Sequence, residues 1–137
     1  MNAAYLLTPK SKLVWMQSDY TLRQALEKMR YYGFNMMPVI DHNGKYLTCV
    51  TAGDFLWHLI EDPKQELAPI PIQSAEDHKL EEILVPDRVP AVSITANMEQ
   101  LMLHALKHVF VPVVDDTGSF IGIVSRTRIL NYYYRNK

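Results

Sequence analysis

The chain has little of what marks disulfide-stapled or nucleic-acid-binding proteins. Its only cysteine is Cys49, and its formal net charge is −1. A lone cysteine favours a reducing cytosol over a secreted, disulfide-stabilised scaffold, and in an apolar strand it is best read as a small buried hydrophobe. Because phosphate contacts need clustered Lys and Arg, the absence of a long basic run argues against a nucleic-acid surface.

Targeting and membrane signals are missing as well. Residues Met1–Tyr5 contain no charged region followed by a long apolar one, so we expect no signal peptide. No apolar stretch approaches the length that spans a bilayer. With 48% hydrophobic residues there is ample material for a packed interior, and 137 residues suffice for one domain or two small halves. We therefore expect a soluble, cytoplasmic protein.

What the chain does have is an internal repeat. The segment Met37–Thr51 recurs as Val111–Ser125 at a constant offset of 74 (Pro38 against Pro112). Such a repeat defines the folding unit and indicates that two units pack together. Each half is too small to stand comfortably alone, so we expect the halves to share a core, related by a pseudo-twofold axis with two equivalent clefts between them.

The first half has the pattern strand, helix, strand, strand, helix. Thr21 and Gln24 form a capping-box pattern at the start of the first helix, and Gly33 lies where a left-handed cap would end it. Asn43-Gly44 predicts a tight hairpin turn. The predicted strands are Leu13–Met16, Met36–Ile40 and Tyr46–Val50, the second helix covers about Asp54–Ile60, and the apolar stripe of the first helix is Leu22, Ala25, Leu26 and Met29.

The second half repeats this order. Asn97 and Gln100 repeat the capping box, and Asp115–Gly118 repeats the hairpin turn. Lys79–Leu84 predicts a helical turn, and Leu84–Pro86 matches Leu7–Pro9 at an offset of 77. The other predicted elements are the strand Ala91–Ile94, the apolar stripe Met98, Leu101, Met102, Ala105 and Val109, and a final helix that contains Ile129–Tyr134.

These patterns predict an α+β fold of two β-α-β-β-α repeats packed by pseudo-twofold symmetry. We assign residues 1–62 to the first repeat and residues 79–137 to the second. Residues 63–78 include Pro63, Pro69 and Pro71 and are predicted to form mostly a connector.

The two halves resemble a tandem pair of cystathionine-β-synthase (CBS) domains, known as a Bateman module, over about residues 5–135. The resemblance rests on an apolar-Pro-Val-apolar-Asp strand, a Gly-containing hairpin and a Thr/Ser-x-x-Asp element, which is Thr51–Asp54 in the first half. Leu6–Ser11 and Thr21–Met29 also resemble stand-alone bacterial CBS-pair proteins.

The resemblance implies a non-enzymatic regulator that binds an adenosine ligand in the clefts between the halves. AMP, ADP, ATP, S-adenosylmethionine and cyclic di-AMP are the ligands of such modules, which commonly form homodimers and act on an effector protein, here unknown. Met37, Pro38, Val111 and Pro112 match the family's adenine-contacting positions. Thr8 and Lys12 precede the first strand, where the family often lines the same cleft, and Lys12 could reach a phosphate. Core packing of the four strand residues and a solvated Lys12 are the structural alternatives.

Thr51 and Asp54 have a chemical reason to bind a ligand. A carboxylate accepts hydrogen bonds from both ribose hydroxyls, and the adjacent helix N-terminus offers free N–H groups to a phosphate. The alternative is that Thr51 and Asp54 only cap their helix, which the same spacing would produce.

The second half departs from the family's pattern, because Arg128 stands where the Asp is expected. Ser125 still suits a helix cap or a phosphate, but the ribose contact is placed in doubt. Either this second site has lost its ligand, or Arg126 and Arg128 contact phosphates or a partner carboxylate. We therefore predict asymmetric binding that favours the Asp54 site.

Other candidate functions are weaker. The sequence has no Walker loop, no Gly-rich dinucleotide motif and no supported catalytic triad, so we expect no enzyme. His104 and His108 are spaced i, i+4 without further ligands, so we expect no metal site. Tyr132–Tyr134 and Trp57 suggest a homodimer contact, with core burial as the rival. The alternative function is a ligand-free dimerisation or interaction module.

Overall fold

The structure is a computed structural model that describes residues 2–59 and 75–136. Its α-helices are α1 (Ala3–Leu6), α2 (Leu22–Tyr32), α3 (Ala52–Leu59), α4 (Met98–Ala105) and α5 (Arg126–Arg135), and short 3-10 helices cover Lys10–Lys12 and Leu80–Glu82. Its strands are β1 (Thr8–Pro9), β2 (Met16–Gln17), β3 (Met36–Ile40), β4 (Tyr46–Thr51), β5 (Val92–Ser93), β6 (Phe110–Val114) and β7 (Phe120–Ser125).

The chain forms two compact units, each made from more than one stretch of sequence. The α3 unit comprises Trp15–His42 and Leu47–Arg88, and the α5 unit comprises Met1–Val14, Asn43–Tyr46 and Val89–Lys137. The segment that leads into the first repeat thus belongs to the α5 unit, and the segment that leads into the second belongs to the α3 unit.

The α5 unit is built on a four-stranded sheet in the order β1-β7-β6-β5. β1 and β6 pair antiparallel with β7, and β5 pairs parallel with β6. Helices α1, α4 and α5 contribute apolar side chains to one core with the sheet. Its buried members are Ala3, Leu6, Ala96, Leu101, Ala105, Val111, Val113, Val124 and Ile129.

The α3 unit is built on a three-stranded sheet in the order β2-β3-β4. β2 runs parallel to β3, with Met16 opposite Val39. The buried hydrophobic residues of this unit include Met16, Leu22, Ala25, Met29, Met37, Val39, Ile40, Cys49, Val50, Phe55, Leu80 and Ile83. Burial of Cys49 is as expected from the sequence.

The local signals of the sequence are confirmed. Both capping boxes form, Thr21 with Gln24 on α2 and Asn97 with Gln100 on α4. Gly33 ends α2 in the left-handed conformation, at φ 71°. The hairpin glycines of the two repeats, Gly44 and Gly118, have φ values of 83° and 84°. The repeat is therefore preserved down to single turn conformations.

Several predicted boundaries were wrong. The first strand is Met16–Gln17 rather than Leu13–Met16, because the Leu13 N–H donates to Lys10 O in the preceding turn. The strand predicted at Ala91–Ile94 is only Val92–Ser93. The final helix spans Arg126–Arg135 and contains Ile129–Tyr134, as predicted.

Burial also differs from the predicted stripes at four positions. Val109 is 56% exposed, because α4 ends at Ala105 and Val109 is no longer on its face. Leu26, Met98 and Met102 are only partly buried. Ile60, the predicted end of the helix after Asp54, and residues 63–74 of the predicted connector lie outside the described residues.

One position in the α5 unit has no room for a side chain. Gly122 lies opposite Pro9 where β1 joins β7. A Cβ at this position would overlap the Thr8 carbonyl oxygen and approach Leu7 Cδ1 to 2.9 Å. Within the described ranges, no helix is long and apolar enough to cross a membrane.

We expect Gly122→Ala to destabilise the protein, because β1 must move away from β7 to admit a methyl group. The expected loss is about 1–3 kcal/mol in the free energy of unfolding, measured by chemical denaturation. Gly53→Ala is the matched control: its Cβ would only touch Thr51 Oγ1 at an ordinary 3.6 Å, and Ala is the better helix former by about 0.5–1 kcal/mol. Equal stability of the two variants would contradict the close approach at Gly122.

A partly buried histidine gives the α5 unit a pH dependence. Nδ1 of His104 is buried and has no hydrogen-bond partner in the described part of the chain. Its ring lies 5.1 Å from that of His108, centroid to centroid. Burial, and secondarily the charge of His108, lower the pKa of His104 from its usual 6.5.

Because the unfolded chain binds a proton at His104 more readily than the folded chain, protonation favours unfolding. The contribution of His104 to stability is therefore complete above the unfolded pKa of 6.5 and is lost as the pH falls below it. We expect urea midpoints to fall between pH 7.5 and 5.5, and to fall less in His104→Gln. The exposed His42→Gln should behave as wild type; an unchanged pH dependence in His104→Gln would contradict this assignment.

Candidate ligand-binding site

Thr51 and Asp54 meet where β4 ends and α3 begins. The Asp54 N–H donates to Thr51 Oγ1 at 3.3 Å, and the Thr51 N–H donates to Asp54 Oδ2 at 2.8 Å. These reciprocal bonds are a helix-capping arrangement, so the capping role considered from the sequence is real. It leaves the carboxylate with further acceptor capacity, because each carboxylate oxygen accepts more than one hydrogen bond.

Arg88 uses that capacity. Its Nη2 donates to Asp54 Oδ1 at 2.5 Å, and its Nη1 donates to Asp54 Oδ2 and, at 3.3 Å, to Thr51 Oγ1. The Asp54 side chain is 6% exposed and that of Arg88 is 27% exposed. The hydrogen bonds that Arg88 donates to Asp54 raise the pKa of Arg88 above its usual value, against the opposing effect of burial. The result is a bidentate, largely desolvated ion pair.

The backbone before Arg88 is fixed by the α3 unit. Asp87 adopts the left-handed conformation at φ 55°, which Asp tolerates better than most residues. The Arg88 N–H donates to Thr48 Oγ1 at 3.3 Å, and Thr48 Oγ1 in turn donates to Val85 O at 2.9 Å. Thr48 is 1% exposed. The main chain that carries Arg88 is thus held to β4 by a buried hydroxyl.

Met37 and Pro38 lie on β3, in the same unit as Thr51 and Asp54. Both are buried, and Met37 is among the largest fully buried side chains of the protein. Packing in the core of the α3 unit therefore accounts for both residues without a ligand, and contact with an adenine stays a prediction.

The corresponding element of the second repeat has different contacts. The Arg128 N–H donates to Ser125 Oγ at 3.2 Å, so Ser125 caps α5. The Arg128 guanidinium donates to Leu6 O at 3.1 Å, the carbonyl of the last residue of α1. Arg126 Nε donates to His108 O at 3.1 Å. Both arginines thus contact protein, through main-chain carbonyls of the α5 unit.

The remaining predicted residues also lie in the α5 unit. Thr8 is paired in β1 opposite Ile123, and Lys12 is exposed on a 3-10 helix. Val111 and Pro112 are buried in β6. The predicted site residues therefore fall into two sets: Met37, Pro38, Thr51 and Asp54 in the α3 unit, and Thr8, Lys12, Val111, Pro112, Ser125, Arg126 and Arg128 in the α5 unit.

A cavity of about 810 Å³ lies beside the second set, between α1 and α5. Tyr5 and Tyr132 form an edge-to-face pair at its side, with ring centroids 5.8 Å apart. The residues that line the cavity are Tyr5, Leu6, Arg128, Asn131, Tyr132, Arg135 and Asn136.

Two of the aromatics predicted to form a homodimer contact are exposed. Tyr134 and Trp57 are 80% and 54% exposed, so the core of the monomer does not bury them.

The described residues contain no group of three or more His, Cys, Asp or Glu placed to hold a metal ion. Arg88 is the site residue that sequence reasoning missed. A signal was available, because the 77-residue offset aligns its segment with the one that contains Lys12, which was considered (Leu84–Pro86 against Leu7–Pro9).

Several solved structures are similar to this chain over almost its whole length. Listeria monocytogenes CbpB in complex with c-di-AMP is 27% identical, with 98% of this chain and 96% of that chain covered and a TM-score of 0.76. A hypothetical conserved protein of Geobacillus kaustophilus is 23% identical over 100% and 98%, with a TM-score of 0.81. CBSX2 in complex with AMP is 22% identical over 98% and 96%, with a TM-score of 0.71.

No curated protein matches the chain. The family model described as "CBS domain" matches it twice, over residues 6–61 and 80–135. The matches begin and end close to the two repeats seen in the sequence and together cover most of the chain. The protein therefore belongs to the CBS-domain family and contains two copies of the domain.

Proposed function

We propose that the protein is a non-enzymatic regulatory module that senses an adenine nucleotide, AMP, ADP, ATP or cyclic di-AMP, and transmits its occupancy to a partner protein. The observation that carries the proposal is the Thr51–Asp54 element. Its nearly buried carboxylate stands at a helix N-terminus beside an arginine, in a CBS pair with relatives of known structure in complex with c-di-AMP or AMP.

The chemistry of this element suits a nucleotide. Asp54 supplies acceptors for the ribose hydroxyls, and Thr51, Arg88 and the first turn of α3 supply donors for phosphate. Met37 and Pro38, which are buried on β3, are the apolar residues proposed to contact the adenine. S-adenosylmethionine contains the same adenosine group, so it is included among the ligands to be tested.

We propose further that occupancy is unequal, with the Asp54 site favoured. Arg128 replaces the carboxylate in the second repeat, and both Arg126 and Arg128 are already bound to carbonyl groups. A ligand there would have to use Thr8, Lys12, Val111, Pro112 and Ser125 without an acidic ribose acceptor.

Transmission requires that the nucleotide bind two poses of the protein with different affinity, since a ligand shifts an equilibrium only by its differential affinity. We propose a homodimer, formed through the exposed aromatics of α3 and α5, as the assembly that changes pose, in a reducing cytoplasm that suits the single buried Cys49. No cofactor beyond the adenosine ligand is invoked.

The alternative is a ligand-free dimerisation or interaction module. One observation favours it: the oxygens of Asp54 accept hydrogen bonds from Arg88 and from the Thr51 N–H of the same chain. Nucleotide-dependent stabilisation separates the two functions.

We expect at least one of AMP, ADP, ATP, S-adenosylmethionine and cyclic di-AMP to raise the melting temperature. A ligand that binds only the native state at 100 times its Kd stabilises by about 2.7 kcal/mol. Asp54→Ala should abolish the shift, whereas Asp116→Ala, in an exposed turn, should retain it. Each variant is compared with its own ligand-free melting temperature, because Asp54→Ala also removes a helix cap.

No shift with any nucleotide would favour the ligand-free module. Calorimetric titration checks the asymmetry: two equal sites per chain, both indifferent to Asp54→Ala, would contradict the preference for the Asp54 site.

A further inference from the structure

The carboxylate assigned to the ribose already has a partner inside the chain. Arg88 contacts both oxygens of Asp54 and the hydroxyl of Thr51, so a single guanidinium occupies the polar atoms of both residues. A ligand that takes these atoms must first displace Arg88.

The displaced group is a side chain, because the backbone of Arg88 is held by the Thr48 hydroxyl. Arg88 is also the more exposed partner, at 27% against 6% for Asp54. Rotation of the Arg88 side chain toward solvent therefore opens the site while β4, α3 and the carboxylate stay in place.

From this geometry we infer that Arg88 selects the ligand by charge, so that the Asp54 site accepts a nucleoside that carries a phosphate and rejects the nucleoside without one. The inference rests on the proposed function and names the ligand class of the same site. A phosphorylated ligand gives both Asp54 and Arg88 a new partner. Its ribose hydroxyls replace the guanidinium as donors to Asp54, and its phosphate replaces the carboxylate as the acceptor for Arg88. Arg88 can bind phosphate in the same bidentate way as it binds the carboxylate.

A neutral nucleoside offers no such exchange. Its hydroxyls still satisfy Asp54, but Arg88 loses a bidentate carboxylate and gains only water. Hydrogen bonds to charged groups are strong enough that losing one weakens binding by about tenfold or more. Adenosine and AMP, which differ only by the phosphate, are the matched pair of probes.

The experiment is calorimetric titration of the full chain with AMP, adenosine and cyclic di-AMP, for wild type, Arg88→Gln, Arg88→Lys and Arg23→Gln. We expect wild type to bind AMP about tenfold or more tightly than adenosine. In Arg88→Gln the ratio should approach one, with weaker AMP binding and adenosine binding equal to or tighter than in wild type.

Arg88→Lys covers the case in which Arg88→Gln fails to fold because Asp54 is left uncompensated. Lysine keeps the charge but not the bidentate fork, so the ratio should lie between those of wild type and Arg88→Gln. Arg23→Gln is the control, because Arg23 is an exposed arginine of the same unit with carboxylate partners of its own, Glu27 and Glu76. It should keep the wild-type ratio.

Equal affinity of wild type for AMP and adenosine would overturn the inference and leave the proposed function standing. The same holds if Arg88→Gln and Arg88→Lys keep the wild-type ratio, since the ion pair would then be purely structural. Absence of binding by AMP, adenosine and cyclic di-AMP to every protein would overturn the proposed function together with the inference.

Discussion

Each unit of this protein contains a short leading segment from the repeat that supplies most of the other unit. The hydrogen bonds that hold these leading segments in place are the interactions on which the rest of the structure depends. In the α5 unit, Thr8–Pro9 adds an edge strand to β7. In the α3 unit, the Leu80 N–H donates to Tyr20 O at 2.8 Å and the Leu22 N–H donates to His78 O at 2.9 Å. Without these segments the sheet of the α5 unit would lose β1, and the start of α2 would lose its hydrogen bond to His78 O.

The two repeats solve the same attachment problem with different chemistry. Gly122 lets the backbone at Thr8 approach β7 directly. The equivalent position of the first repeat, 74 residues earlier, is Thr48, whose hydroxyl donates to Val85 O in the other leading segment. The same hydroxyl also accepts a hydrogen bond from the Arg88 N–H. The two repeats therefore differ in how they hold a leading segment, as well as in having Asp54 in one copy and Arg128 in the other.

The sequence predicts those features whose causes are local. Capping boxes, the left-handed Gly33 and both hairpin turns depend on residues within a few positions, and all of them form. The short parallel strands were misplaced because their length depends on where β3 and β6 offer a partner, which is a tertiary property. Arg88 was missed for the same reason, since it lies 34 positions from Asp54. The hydrophobic periodicity of the sequence likewise does not show which unit a leading segment joins.

The interleaving of the chain has a consequence for how substitutions in the two repeats depend on one another. Thr48 contacts the segment that opens the second repeat, and Gly122 contacts the one that opens the first. A substitution at Val85 or Arg88 therefore alters contacts made by β4, and a substitution at Thr8 alters contacts made by β7. The stability of each repeat thus depends on residues of the other.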